Sequence, residues 1–544
     1  MKQQVRAMKI KIDAQNSDTQ NGHQQQVSGP HFINLVQETQ KPLTTKLWRL
    51  WSLLQDHNKE RCMKQFILVL AGLALVTSAQ AADTTEFKWD AELRTRYTND
   101  SGYNFQKKTQ EEAGAGGQSN AGRVYNYFQT RTKLGLGMSK GEKLAGHVGF
   151  INNFNWGSAP ARGYSITSTA NAYNYANPTT VNTTNTDTQA LLVNEAWGWW
   201  KAHDLFSVKV GRSQMEVAGG AVIGNYDWRA VPYAYDGMWF NFDFEPVYVN
   251  LYGAKLLDLN ASGAAYTTGG TAAQNTNDPE TVMYGMTLGF KTLPDFFKKA
   301  EIHLMQVNDE TSPATNPSTA QNTGATLDRT EFLRYGLFLN GDVSNFDYTA
   351  VADIHNGVRK WGATGQSDLN LKGSMYDLGL GYTLPEVMML RFGARYHMDS
   401  GGQVTGTDDS NYKTVGYDQH KWGGGEMDVV DWGNVTFWGL DAGIQPMDDV
   451  AFKLAYTNYT RTSNSAAVKI NGTSWATGAT DASSSSSIGS EIDFTATKNY
   501  GDMSIWALYG VFTPGDYIQK TTANASTPQT DSHTRIQLQA KWMF

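Results

Sequence analysis

The chain lacks almost everything that a soluble enzyme of its size would use. Of its 544 residues one is a cysteine, Cys62. It precedes the main apolar run, so residues 82–544 can form neither a disulfide nor a thiolate centre. No apolar stretch reaches the ~20 residues that a membrane-crossing helix needs. After residue 82 an apolar period of 3.6 is sustained nowhere, which argues against a helical domain. Neither His-Glu-x-x-His nor Gly-x-Ser-x-Gly occurs. The histidines beyond residue 82 are His147, His203, His303, His355, His397, His420 and His533, and no Ser-His pairing is legible among them. No catalytic residue, no cofactor and no metal centre is expected. Asp399, Asp408 and Asp409 are a weak calcium candidate; a solvated acidic loop is the plainer reading. Positive charge is also scarce. The net charge is −7 over the whole chain and near −12 over residues 82–544. No nucleic-acid partner is expected from such a balance.

What is present begins with an export signal. Met63, Lys64 and Gln65 make a short basic start. Residues 66–76 are an apolar core, and Ala79 and Ala81 supply the small residues of a cleavage site. This reads as a signal peptide over 63–81, with the mature chain starting at Ala82. Residues 1–62 are polar and Gln-rich, and read as a misassigned upstream start. A long extension ahead of the signal is the alternative.

The other end alternates. Arg535, Gln537, Gln539 and Lys541 share one face of a strand, while Ile536, Leu538, Ala540, Trp542 and Phe544 share the other. An apolar face, a polar face and a terminal aromatic resemble the closing strand of a bacterial outer-membrane β-barrel. In that class Phe544 would be the signal read by the assembly machinery.

Alternation recurs along residues 86–544. Eighteen candidate strands fall near 86–98, 123–138, 144–156, 189–202, 204–213, 235–244, 246–257, 280–291, 300–309, 330–341, 344–355, 373–384, 386–398, 432–445, 449–461, 488–498, 502–513 and 534–544. Their connections alternate long and short, the long ones rich in Gly, Ser, Thr, Asn and Asp. Long external loops, short periplasmic turns and an even strand count define an all-β, transmembrane, antiparallel up-and-down barrel. About 18 strands are expected, with 16 as the alternative. The parities of strands 4, 7 and 17 are open.

Lipid-facing sets include Val282, Tyr284, Met286, Leu288 and Phe290, with charges on the opposite parity. A Lys or Arg on the lipid face costs ~2–4 kcal/mol at the midplane, so this parity is forced. The expected pore-lining residues are Arg94, Arg96, Arg131, Lys133, Lys209, Arg334, Arg391 and Arg395. Acidic positions, among them Asp347, Asp353, Asp377, Asp441, Glu491 and Asp493, lie elsewhere on the wall. The charges either set a field across a water-filled path or pair and plug the interior.

One external loop, 214–234, is unusually apolar and carries Gly219, Gly220 and Gly224. Apolar chain should not dangle in water, so the loop is expected to fold into the barrel mouth. Gly211-Arg212, Gly219-Gly220, Asp227-Trp228 and Asp236-Gly237, preceded by Asn194-Glu195-Ala196, resemble the alginate-export family of outer-membrane porins. The resemblance implies an 18-strand, mostly monomeric barrel with an arginine-rich constriction. Arg212, Asp227, Arg229 and Asp236 then join the constriction. Strict alternation places Arg212 on the lipid parity, so a bulge at Gly211 or the strand's end must turn it inward.

The sequence therefore predicts a passive channel for small or anionic hydrophilic solutes, set among outer-membrane lipid and lipopolysaccharide, as a monomer or trimer. A dedicated exporter of an anionic, alginate-like polysaccharide is one alternative. A plugged structural or adhesive surface barrel is another.

Overall fold

The computed structural model describes residues 85–103, 105, 125–156, 191–258, 280–309, 329–360, 368–402, 407–475, 485–520 and 530–544. The expected upstream segment 1–62 and signal peptide 63–81 lie outside the described residues.

Eighteen strands form one antiparallel barrel. In chain order β1–β6 are Thr85–Ser101, Tyr125–Lys140, Leu144–Asn155, Leu192–His203, Phe206–Ser213 and Tyr235–Asp243. Next, β7–β12 are Val247–Asp258, Glu280–Phe290, Lys299–Asp309, Arg329–Val343, Phe346–Lys360 and Leu369–Leu384. Last, β13–β18 are Leu390–Asp399, Val435–Met447, Val450–Arg461, Ser487–Tyr500, Met503–Pro514 and His533–Met543. Each pairs with the next in sequence, and β18 returns to β1 in the register Glu92↔Met543 to Ser101↔Thr534. The seam is completed by Phe544, whose amide donates to the Ala91 carbonyl and whose carbonyl accepts from the Ala91 amide. Closure leaves no unpaired edge, which is what lets a sheet lie in lipid.

The outer face is apolar and bare. Leu380, Leu440, Leu454, Ile492 and Leu538 are each about half exposed on a single-chain surface. In water this belt would be a large aggregation-prone patch; in a bilayer it is the contact surface. Among the described residues, no helix is long and apolar enough to cross a membrane.

The core lies inside the barrel. One apolar cluster joins Val217, Val222 and Ile223 of the 214–234 loop to Met305, Phe332, Phe338 and Met375 of the inner wall. A second joins Met427, Val429 and Val430 of the loop after β13 to Phe437, Tyr459, Leu508 and Phe512. This resolves the strands whose parity the sequence leaves open. Inner Leu508 and Phe512 on β17, and inner Tyr252, Ala254 and Leu256 on β7, are buried in these clusters. Both faces of those strands are therefore apolar. Strand β7 also shifts register between Lys255 and Leu257, and the β3–β4 pair between Gly149 and Phe150.

Candidate functional site

The interior is organised by arginines used twice. Arg131, on β2, pairs with Glu92 on β1 and donates 2.7 Å to the Asp227 carbonyl of the loop. Arg334, on β10, pairs with Asp353 at 2.7 Å and donates 3.1 Å to the Lys413 carbonyl. Arg395, on β13, pairs with Asp377 at 2.7 Å and donates 2.8 Å to the Trp422 carbonyl. Arg535, on β18, pairs with Asp100 at 2.6 Å and donates 2.5 Å to the Met427 carbonyl. In each case a carboxylate on a neighbouring strand fixes the guanidinium, and the free edge of its planar fork takes a loop carbonyl. Only Arg offers that many donors in one plane.

Two loops are held this way. In 214–234 the carbonyls of Asp227 and Arg229 accept from both Arg94, at 2.9 and 2.6 Å, and Arg131, at 2.7 and 2.9 Å. The Asp227 carboxylate adds ion pairs to Lys133 at 2.5 Å and Arg131 at 3.2 Å. Burial works against its charge, yet Arg131 and Lys133 outweigh this and hold the Asp227 carboxyl down at about 2. The Arg229 side chain lies over Tyr233, 4.7 Å from the ring centre. Residues 407–434 form the second loop. It joins the first through Gly224 N to Gly416 O at 2.8 Å and Asp418 N to Gly220 O at 2.9 Å. Trp422 Nε1 also donates to Gly219 O at 3.1 Å.

Glycine is required where these loops meet. Gly219 has φ +60°, and a Cβ there would stand 3.0 Å from the Phe338 ring. At Gly224 a Cβ would come within 2.8 Å of the Asp418 backbone nitrogen.

The remaining expected residues divide. Arg96 donates 2.7 Å to Gln539 and stands 3.8 Å from the Trp228 ring centre. Arg391 bridges Asp347 at 2.7 Å and Asp441 at 3.2 Å. Lys209 faces inward, bonded to Ser213 at 2.7 Å. Arg94, Arg96, Arg131, Lys133, Lys209, Arg334, Arg391 and Arg395 thus all share the inner parity.

Arg212 and Asp236 do not join them. They are cross-strand neighbours on the parity of Val210, Met238 and Phe240. Arg212 reaches Asp236 through two bonds, at 2.8 and 2.6 Å, and both are about half exposed. Gly211 does adopt φ +127°, yet the pairing Gly211↔Gly237, Arg212↔Asp236, Ser213↔Tyr235 runs on without a bulge. With no extra residue inserted, the alternation holds and Arg212 stays outside. The calcium candidates also part. Asp399 accepts from the amides of Gly433 and Val435, Asp409 faces Lys413, and Asp408 faces Lys372 and Asn370.

The sequence reading missed the second loop. Its signal was the one that found the first: Trp422, Met427, Val429, Val430 and Trp432 are too apolar for a loop in water.

The model of the alginate export family matches residues 85–530, from β1 to just short of β18. The chain belongs to the alginate export family. Its barrel is similar to that of Pseudomonas aeruginosa OccK1 (OpdK), with a TM-score of 0.50 at 9% identity, over 84% of this chain and 98% of that one. Pseudomonas aeruginosa OpdQ matches with a TM-score of 0.47 at 12% identity, over 84% and 98% of the two chains. At these identities the likeness is one of fold. Among curated protein sequences none matches. With the family, the closed barrel and the bare apolar belt together, this is an outer-membrane porin-type barrel.

Proposed function

We propose that this chain is a passive outer-membrane channel for small hydrophilic solutes, with a preference for anions, narrowed by the 214–234 loop. The observation that carries the reading is the set of hydrogen bonds by which Arg94 and Arg131, on β1 and β2, hold the Asp227 and Arg229 carbonyls of that loop. A loop so fixed divides the lumen, and the charge beside it sets what passes. Arg94, Arg96, Arg131, Lys133 and Lys541 stand there against three carboxylates, Glu92, Asp227 and, beyond the Trp228–His420 stack, Asp428. The surplus is positive although the chain is negative overall, and a low-dielectric wall focuses that local field. Outer-membrane lipid, lipopolysaccharide and the assembly machinery are the partners this reading implies, and residues 63–81 are its export signal.

The test is single-channel conductance of the refolded 82–544 chain in a planar bilayer under a salt gradient. Steady current with an anion-selective reversal potential is expected, and neutralising Arg94 and Lys133 together should move that potential toward zero. A silent, folded barrel would replace this reading with the plugged surface protein.

The family match favours a second reading, export of an anionic polysaccharide. It requires saturable block of the current by oligouronates. With two loops held across the lumen, little interruption by such polymers is expected.

A further inference from the structure

The inner wall of β4–β8 carries two chemically distinct rungs. Trp199, Lys209, Trp239 and Tyr252 are in register with one another across β4–β7. Two residues nearer the short turns, Ser207, Asn241, Asn250 and Thr287 are in register across β5–β8. The first rung is three aromatic residues with Lys209 between them, and the second is made of amides and hydroxyls. They stand about 7 Å apart at the rise of an antiparallel strand. Beside Tyr252 the first rung ends at Gly285, whose missing side chain seats the Tyr252 ring: a Cβ there would run into Tyr252 Cζ. Met215, Glu216 and Val217, at the start of the infolded loop, roof the two rungs and leave a cavity of about 310 Å³.

Several groups in this cavity are unused. Trp239 Nε1 and Tyr252 Oη are buried and have no hydrogen-bond partner among the described residues, and Tyr252 is only 5% exposed. A buried donor left without a partner has given up its water and gained nothing in return, so a ligand hydroxyl that supplies one is favoured. Lys209 is otherwise engaged: its ammonium bonds Ser213 Oγ and lies 5.0 and 5.4 Å from the centres of Trp239 and Trp197.

We propose that this cavity, between the Trp199–Tyr252 rung and the Asn241–Thr287 rung, is a binding subsite for a single neutral pyranose. A pyranose has an apolar face of axial C–H groups and a rim of hydroxyls. Indoles suit the face, and amides that both donate and accept suit the rim. Trp239 Nε1 and Tyr252 Oη would find their partners in the same hydroxyls. The volume is at the small end of ligand pockets, right for one ring and too small for a chain. An aromatic carboxylate would also stack on Trp239. It would leave the amides and Thr287 unpaired, however, and would need a cation that Ser213 and the two indoles already occupy. The ligand reaches the subsite from the turn side of the loop, where Ser207 and Asn241 lie. The proposal rests on the channel reading for that access.

Saturation-transfer NMR on the full chain, refolded in detergent, tests it without relying on current. The probe is millimolar methyl β-glucopyranoside, with benzoate as the competitor chemistry. Transfer strongest to the axial ring protons is expected. Trp239→Ala should abolish it, and Asn250→Ala should weaken binding about tenfold, the value of roughly one good hydrogen bond. Each variant is scored only as the folded, heat-modifiable band. Asn250, which makes no side-chain hydrogen bond among the described residues, is the variant least able to disturb folding. No transfer to the glucoside, or equal transfer in both variants, overturns the proposal. Transfer to benzoate alone overturns it in favour of an aromatic acid. A silent channel that still shows the glucoside pattern would sink the channel reading and leave the subsite standing.

Discussion

The Trp228 indole lies flat on the His420 imidazole, with ring centres 3.8 Å apart and planes 4° from parallel. Trp228 belongs to the 214–234 loop and His420 to the 407–434 loop, so this stack joins the two loops alongside their backbone hydrogen bonds. Asp428 stands 3.3 Å from His420 Nδ1 and Glu426 3.6 Å from Nε2. Burial opposes the imidazolium and Arg96 repels it, but Asp428 and Glu426 more than offset both and raise the His420 pKa. A raised value in the folded state means that its stabilisation is complete below about 6.5. It is lost as pH rises through the higher folded value. Asp431 acts in the same direction. Burial, reinforced by Asp428, pushes its carboxyl up to about 7, so its share of stabilisation is lost between about 4 and about 7, and above neutral the further loss is that of His420. Current fluctuations of the open channel should therefore grow as pH rises past neutral. His420→Gln should show much less of this dependence. Noise spectra recorded across a pH series check it; pH-independent noise in the parent chain would sink the idea.

The Arg131–Glu92 pair should be costly to break from one side. Arg131 is fully buried and Glu92 nearly so. Removing one partner of a buried pair typically costs 3–5 kcal/mol, because the other charge is stranded. Arg131→Gln alone should lower unfolding free energy by about that much. Arg131→Gln combined with Glu92→Gln should lose distinctly less, although Lys133 and Lys541 near Glu92 will keep recovery partial. Urea titrations followed by the heat-modifiable gel shift give the double-mutant cycle. Additive losses would show that the two residues act separately.

Gly224 should act as a hinge pin between the loops. A Cβ at residue 224 would press the Asp418 backbone, which cannot yield as a flexible side-chain end would. The Gly224–Gly416 and Asp418–Gly220 hydrogen bonds would then part. Gly224→Ala is expected to cost about 1–3 kcal/mol, as overpacking does. It should raise mean conductance because the loops separate. A folded variant with the parent's conductance would mean that these loops do not set the pore.

Strand number and order were legible because lipid contact demands apolar residues at every second position of the membrane belt; the outer-face charges Arg212 and Asp236 sit at strand ends, outside that belt. Legibility ends where a loop covers the inner wall. Leu508 and Phe512 are as apolar as the lipid-facing Val511 and Tyr509 on the same strand, so no alternation marks either face. The inward placement of Arg334 and Arg395 was readable from parity. Their second partners were not, since the carbonyls of Lys413 and Trp422 carry no residue-type signal. The expected charged wall is also more self-paired than spacing alone suggested. Pairing depends on cross-strand register, which the geometry of each turn sets and which residue type alone does not display.

Arg212 tests the register most directly. The family motif groups Arg212 and Asp236 with the constriction, whereas the register sets both on the outer face near the external ends of β5 and β6. There, Arg212 also donates to the Val193 carbonyl. A charge outside the wall is separated from the permeating ion by the sheet itself. Arg212→Ala should therefore leave the reversal potential in a salt gradient unchanged, while Arg94→Ala shifts it. The stability loss should be small, about 0–1 kcal/mol for an exposed pair, and Asp236→Asn should lose a similar amount. Bilayer recordings of both arginine variants in the same gradient decide the matter. A shift for Arg212→Ala as large as that for Arg94→Ala would mean that Arg212 reaches the lumen, and that the motif outranks the register.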